Sequence, residues 1–280
     1  MYYYILDGQN IEPAHFEQKQ IALQSYLAEF KLSGEMARVT SLRSIADLVE
    51  TASNRGVKTL VACGNDATFN LMLSYIKGRD FTLSFIPLDQ ESYLSKILGL
   101  PDLYTAVKTL AARRIEKIDL ALMNESYFVS YVEFGITANK LKSLGWISSI
   151  KAFSAPSHQI KIKIDESYTM EINCLGGIIA NTRSTSSNDQ TIANPTDGFL
   201  DLLIVERLAR VNTLKYKKEI INGSLEQIPG TSVIKCKKIE FLEPTGFPLT
   251  ISGRVFAKAP ANIEIIPRKL RLIVGKSRTF

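Results

Sequence analysis

The segment Gly64-Asn65-Asp66-Ala67-Thr68-Phe69-Asn70 has the clearest potential for chemistry in this 280-residue chain. It lies between the apolar run Thr59 to Cys63 and a helical stretch from Thr68 to Ile76. The start of a helix presents unpaired N–H groups and partial positive charge, so a tight turn of small residues there suits a phosphate. An ordinary strand-to-helix turn looks the same, and one glycine is weaker than a multi-glycine fingerprint, so pattern alone favours the ordinary turn. Asp197, in Thr196-Asp197-Gly198, reads by residue type as a turn aspartate. Basic residues group as Lys215, Lys217 and Lys218; Lys235, Lys237 and Lys238; and Arg268, Lys269 and Arg271. Such groups suit an anionic leaflet or simply the wet face of strands and a helix. His15 and His158 are solitary, and Trp146 reads as packing.

These residues need elements to hold them. Tyr3 to Leu6 reads as a buried strand, and Phe16, Leu23, Leu27 and Phe30 recur at helical spacing until Gly34. A second helix is expected after Thr40-Ser41, with Leu42, Ile45, Leu48, Val49 and Ala52 on one face, ending at Asn54-Arg55-Gly56. Thr59 to Cys63 and Thr82 to Ile86 read as buried parallel strands, and Glu91 to Leu98 and Leu103 to Ala112 as helices. Alternating strands and helices predict an α/β layer structure over residues 1–118. Beyond Ile118 the period changes to two, in Ile160/Ile162/Ile164, Leu200/Leu202/Ile204, Ile239/Phe241, Ile263/Ile265 and Leu270/Leu272/Val274. Residues 119–280 are therefore expected to form an antiparallel sandwich or barrel, with a helical interlude around Val211 to Ile221.

Composition bounds the rest. With 45% hydrophobic and 22% charged residues the chain can bury one large core or two medium ones. No apolar stretch approaches the ~20 residues of a membrane-spanning helix. The N-terminus has no basic region and turns acidic at Asp7, so a secretory signal is not expected. Cys63, Cys174 and Cys236 are odd in number and lack metal-ligand spacing, which favours a reducing, cytoplasmic setting without zinc. Up to Lys117 the 13 basic and 13 acidic residues balance, so the +6 net charge arises entirely beyond it. Nucleic acid is not expected as a partner, because no supporting fold or interleaved aromatic pattern accompanies the basic residues.

Val61-Ala-Cys-Gly-Asn-Asp-Ala-Thr-Phe-Asn70 resembles the V-x-x-G-G-D-G-T-x-N signature of the diacylglycerol kinase catalytic-domain family, bacterial lipid kinases distantly related to NAD kinases. The resemblance extends along the chain, in order. Phe85-Ile-Pro-Leu88 and Leu98-Gly-Leu-Pro101 are similar to the ends of the segment I-P-x-G-T-G-N-D-x-A-R-x-L-G-I-P. Ile118-Asp-Leu120, Phe128 and Phe134-Gly135 match a later passage, and Ala193-Asn-Pro-Thr-Asp-Gly-Phe-Leu-Asp201 resembles P-x-A-x-x-x-D-G-x-L-D. Ile251-Ser-Gly-Arg254 falls where V-D-G-E is expected.

The resemblance implies an α/β nucleotide-binding domain followed by a β-sandwich domain. It implies transfer of the γ-phosphoryl of ATP to a lipid hydroxyl of the diacylglycerol type, with Mg²⁺ held by carboxylates. Nucleotide contacts would come from Thr40, Gly64, Asn65, Asp66, Ala67, Thr68 and Asn70, and a second-domain metal site from Asp197 with the carbonyls of Asn194 and Phe199. It also implies a cytoplasmic protein, peripheral at an anionic inner membrane face. The chain departs from the pattern at Asn65 and Ala67, which replace glycines, at Asp89-Gln-Glu-Ser-Tyr93, which replaces G-T-G-N-D, and at Asp7-Gly8-Gln9-Asn10, which replaces N-P-x-S-G. Arg254 takes the place of the acidic general base, and a guanidinium cannot accept a proton. Glu133 is the candidate substitute. These departures support an alternative: a catalytically silent relative that binds nucleotide, lipid or a protein partner.

Overall fold

A computed structural model describes residues 1–9, 11–89, 92–136, 157–184, 191–207, 215–222, 224–251 and 253–280. The chain divides into two compact units, the first Met1–Ile118 with Arg268–Phe280, the second Asp119–Pro267.

In the first unit β1 (Tyr2–Leu6), α1 (Pro13–Glu29), β2 (Gly34–Arg38), α2 (Ile45–Asn54), β3 (Thr59–Gly64), α3 (Asp66–Tyr75) and β4 (Thr82–Pro87) alternate, followed by α4 (Tyr93–Leu98) and α5 (Leu103–Ala112). β1 pairs in parallel with β2 on one side and β3 on the other, and β4 pairs in parallel with β3. The short β2 is absent from the expected order of elements. Its sequence Gly-Glu-Met-Ala-Arg buries Ala37 alone, as an edge strand can, so it lacks the apolar run that marks its neighbours. The helix expected from Leu42 begins at Ile45. Ser44 caps it in a reciprocal box with Asp47, and Leu42 lies outside it, 91% exposed. Phe16, Leu23 and Leu27 are buried from α1, and Phe69 meets Phe85 edge to face, with ring centroids 5.6 Å apart.

The chain leaves this unit in β5 (Ile115–Met123). The second unit contains β6 (Ser126–Phe128), β7 (Tyr131–Gly135), β8 (His158–Ile164), β9 (Tyr168–Ala180), β10 (Arg183–Ser184), β11 (Thr191–Ala193) and β12 (Leu200–Glu206). After the short helix α6 (Lys217–Asn222) come β13 (Thr231–Cys236), β14 (Lys238–Glu243), β15 (Pro248–Ile251), β16 (Arg254–Lys258) and β17 (Ala261–Ile273). Their pairings are antiparallel: β15 joins β16 and β7, β9 joins β7, β8 and β12, and β14 joins β8 and β17. Residues from strands all along this path, including Phe128, Phe134, Ile162, Leu202, Phe241, Leu249 and Ile263, share one core, so the strands fold over each other as a β-sandwich. Trp146 and residues 211–214, the start of the helical interlude expected around Val211 to Ile221, lie outside the described residues. The three cysteines are buried and unpaired.

The end of β17 explains why the final segment groups with the first unit. Arg271 and Leu272 pair in parallel with Thr82 and Leu83 of β4, adding a strand to the α/β sheet. The sequence reading places this segment in the second domain, because its alternation of apolar residues continues that of the strands before it. The return also relocates the charge. Arg268, Lys269, Arg271, Lys276 and Arg278 have no acidic residue among them, so the first unit carries 18 basic against 13 acidic residues and the second 16 against 15.

Gly177 is a point of close approach in the sandwich: a Cβ there would lie 2.2 Å from the Leu203 carbonyl oxygen and 2.4 Å from the Phe134 ring. Neither neighbour can withdraw, since both are held in the strands that flank β9. Gly177→Ala is expected to cost about 1–3 kcal/mol, seen as a lower midpoint in thermal unfolding followed by circular dichroism.

Candidate functional site

β3 ends at Gly64 and α3 starts at Asp66, with Asn65 as the capping residue between them. The Thr68 N–H donates to Asn65 Oδ1 at 3.0 Å, and the Asn65 N–H donates to Thr68 Oγ1 at 3.3 Å. Asn65 takes φ −105°, an extended conformation, and Ala67 is not among the positive-φ residues. The two departures from glycine therefore need no left-handed backbone, and Asn65 gains a function as the cap. Gly64 is required for a different reason: a Cβ on it would sit 2.5 Å from Thr68 Oγ1. The box leaves the N–H groups of Asp66 and Ala67, the first two helical positions, without an intramolecular partner among the described residues. Two open donors at the positive end of a helix form an anion-binding feature.

Asp7 follows the last residue of β1, is 5% exposed, and has its N–H bonded to the Cys63 carbonyl of β3 at 2.9 Å. Its Oδ2 accepts the Thr68 hydroxyl at 2.8 Å and its Oδ1 the Gln9 N–H at 2.9 Å. The sequence reading treats Asp7 only as part of a lost motif. A carboxylate immediately after a buried strand was the available signal for its role as the tie between the ends of β1 and β3.

Asp66 is turned toward the next segment. Its Oδ1 accepts the Ser92 hydroxyl, and its Oδ2 accepts the N–H groups of Tyr93 at 2.8 Å and Leu94 at 3.2 Å. It thus satisfies the first turn of α4, a role shared with the capping residue Ser92. Burial raises the Asp66 pKa above the ordinary carboxylate value, with Asp89 adding to the rise, against the three donors that lower it. Asn70, one turn further along α3, is 4% exposed with neither amide atom hydrogen-bonded. Thr40 lies not at a helix start but in the turn after β2, where its backbone exchanges hydrogen bonds with Arg43 at 3.0 and 3.3 Å and its Oγ1 accepts the Leu42 N–H at 3.3 Å.

In the second unit, Asp197 Oδ1 accepts the Phe199 N–H at 3.0 Å and Oδ2 accepts Lys235 Nζ at 2.5 Å. The Asn194 side chain is bonded to Thr196, and the Asn194 carbonyl receives the Asp197 N–H at 3.4 Å. Asp119, 1% exposed, holds the same turn through the Gly198 N–H at 2.8 Å and the Pro195 carbonyl at 2.7 Å. A divalent cation does not fit this arrangement, because both oxygens of the one carboxylate are engaged and one of them by an ammonium. Arg254 starts β16 on the exposed surface, paired with Ile251. Glu133 is 4% exposed in β7 and faces Thr250, the residue before Ile251, so it stands one register step from the Arg254 turn. Its strand pairing puts it in line with Thr250 and Val255, whereas Arg254 is in line with Ile251 on the opposite face of the sheet.

Residues 14–123 match the diacylglycerol kinase catalytic domain, and residues 139–274 match the YegS C-terminal NAD kinase beta sandwich-like domain. Residues 14–123 thus carry a diacylglycerol kinase catalytic domain, and the two matches together span most of the chain. Three solved structures of a putative diacylglycerol kinase from Bacillus anthracis str. Sterne resemble it with a TM-score of 0.79, at 15% to 17% identity, over 99% of this chain and 96% to 97% of theirs. At that identity the likeness is one of fold. No curated protein matches the chain at significant similarity. A kinase-type catalytic domain implies use of a nucleotide, and the strand-to-helix turn from Gly64 to Asn70 lies within the residues matched to it. No helix among the described residues is long and apolar enough to cross a membrane.

The engagement of Asp66 predicts a cost on its removal. Asp66→Asn keeps the size but places an amide where two N–H groups donate, so a loss of about 1–2 kcal/mol is expected. The pH dependence has a definite sign. With the folded pKa above the unfolded one, the stability contributed by this group is full below the unfolded value and is lost as pH rises through the folded value. The gap in unfolding midpoint between wild type and Asp66→Asn is therefore expected to be wider at about pH 4 than at about pH 7.

Proposed function

We propose that this chain is a phosphotransferase of the lipid kinase type, moving the γ-phosphoryl of ATP to the hydroxyl of a diacylglycerol-like lipid. One observation carries the reading. β1 lies between β2 and β3, so the chain changes direction across the sheet at β1, and the carboxyl ends of β1 and β3 flank a topological switch point. Ligands of open α/β sheets bind at such points, and here the point holds the Gly64 turn and the open N–H groups of Asp66 and Ala67. The names of the Bacillus anthracis structures support the same reading.

In this proposal the nucleotide phosphates meet the start of α3, and the Asp7–Thr68 bond keeps the two strand ends at fixed separation. Mg²⁺, bound with the nucleotide, would neutralise polyphosphate charge, with Asp89 the carboxylate of this region to face it, since both Asp66 oxygens serve the start of α4. In the transfer, the acceptor oxygen bonds to the γ-phosphorus as the bond to the β-phosphate oxygen breaks, ADP leaves, and the hydroxyl proton passes to a base. Arg254, at the position where the resemblance expects the base, cannot take that proton. The substrate would be met at an anionic membrane surface, with the protein peripheral to it in the cytoplasm.

Transfer of labelled γ-phosphate to diacylglycerol in mixed micelles with Mg²⁺ tests the proposal directly. Label in a lipid product is expected, and label no higher than an enzyme-free blank across lipid classes would overturn it. A second reading, a silent nucleotide-binding relative, is favoured by the arginine at the expected base position. Calorimetric binding of Mg-ATP without transfer would select it.

Ala67 generates a further prediction. Side chains on a helix tilt toward its N-terminus, so the Ala67 Cβ leans into the place where phosphate would approach. Ala67→Gly is expected to tighten Mg-ATP binding by about three- to tenfold, or about 1 kcal/mol, in a calorimetric titration.

A further inference from the structure

We infer that the Lys235 ammonium is a built-in cation at the Asp197 turn, standing where a divalent metal is expected from the family resemblance, so that the second unit needs no bound metal. The placement is dictated by strand register. Lys235 of β13 pairs directly with Asp201 of β12, and Asp197 lies four residues before Asp201 at the entry to that strand. Side chains of directly paired residues project to the same face of a sheet. From that position Nζ reaches Asp197 Oδ2 at 2.5 Å and comes within 4.0 Å of Asp201 Oδ1.

Charge makes the ammonium necessary. Asp201 is 2% exposed, and its Oδ2 has no hydrogen-bond partner among the described residues. A carboxylate so placed needs a nearby positive charge to remain ionised. A cation serving both Asp197 and Asp201 answers that need, and a tethered one does so without losing the entropy of a captured ion. A divalent ion added to this turn would have to expel Lys235 and leave the ammonium beside a double positive charge. Asp197 Oδ1 already accepts the Phe199 N–H, and the Asn194 carbonyl accepts the Asp197 N–H.

Thermal unfolding of the full chain without nucleotide tests this. Wild type is expected to keep its midpoint in EDTA and in millimolar Mg²⁺, Ca²⁺ or Mn²⁺. Lys235→Met leaves two carboxylates without their cation; its midpoint is expected to fall by about 3–8 °C and to recover by at least half of that loss when Mg²⁺ or Ca²⁺ is added. Lys235→Arg should retain the wild-type indifference to metal. If Lys235→Met does not fold, Lys235→Gln takes its place, and Mn²⁺ binding by electron paramagnetic resonance supplies an independent measure on wild type. The inference is overturned if divalent ions stabilise or bind wild type in a way that Asp197→Asn abolishes. It is equally overturned if the charge-removing variant, Lys235→Met or Lys235→Gln, shows no response to metal.

Discussion

β1 is clamped between two parallel partners, and the first unit depends on that position. With β2 on one side and β3 on the other, successive crossovers must run in opposite directions from β1, and their turns part at its carboxyl end. Asp7 closes the parting at short range, taking the Thr68 hydroxyl while its own N–H bonds to Cys63. Thr68 is in turn half of the box that defines where α3 begins. A single carboxylate therefore joins the end of one strand, the end of its neighbour and the first turn of a helix. The anion-binding donors at Asp66 and Ala67 are open because this box satisfies the other early positions of the helix.

A second carboxylate extends the arrangement. Asp66 lies within the same turn, yet its oxygens serve the first turn of α4, more than twenty residues away in sequence. Strands β3 and β4 are neighbours, so the segments that follow them are brought together, and the aspartate bridges them. The segment that departs from the family pattern at Asp89 to Tyr93 is thus held by the residue most characteristic of that pattern. The described end of that segment is a capped helix start, with Ser92 and Asp66 supplying the acceptors.

Much of this was legible in the residues. Strands β1, β3 and β4 read as apolar runs because both faces of a parallel sheet are covered, and α1, α2 and α5 read as helices from their buried faces. Edge strand β2 has one buried residue and so no pattern to read. Apolar spacing alone draws the start of α2 back to Leu42, although Ser44 and Asp47 spell a capping box. Gly64, Asp66 and Thr68 stand out in the sequence as candidates, but their partners do not: Asp7 and Ser92 are far from them in sequence, and no local spacing announces a contact made through sheet order.

Charge shows the same limit of local reading most sharply. Counted along the chain, the basic excess falls after Lys117, and the lysines near residues 235 to 238 look like a basic face. Folded, those lysines meet acids fixed by register: Lys235 with Asp197, and Lys238 with Glu166 and Glu240, while Lys161 meets Glu171 and Lys163 meets Glu240 on neighbouring strands. Antiparallel pairing converts alternating charge into local neutralisation, and the second unit ends almost balanced. The surplus belongs to the first unit, brought there by the C-terminal segment Arg268–Phe280, which has five basic residues and no acid. Arg271 and Arg278 pair with Asp80 and Glu116, yet these acids are already counted in that unit, so pairing redistributes the surplus without removing it. A unit with a net positive field and open N–H donors at a helix start favours a polyanion by both long-range and contact terms. The charge that in linear sequence points toward a membrane thus contributes, in the folded chain, to the unit where a nucleotide would bind.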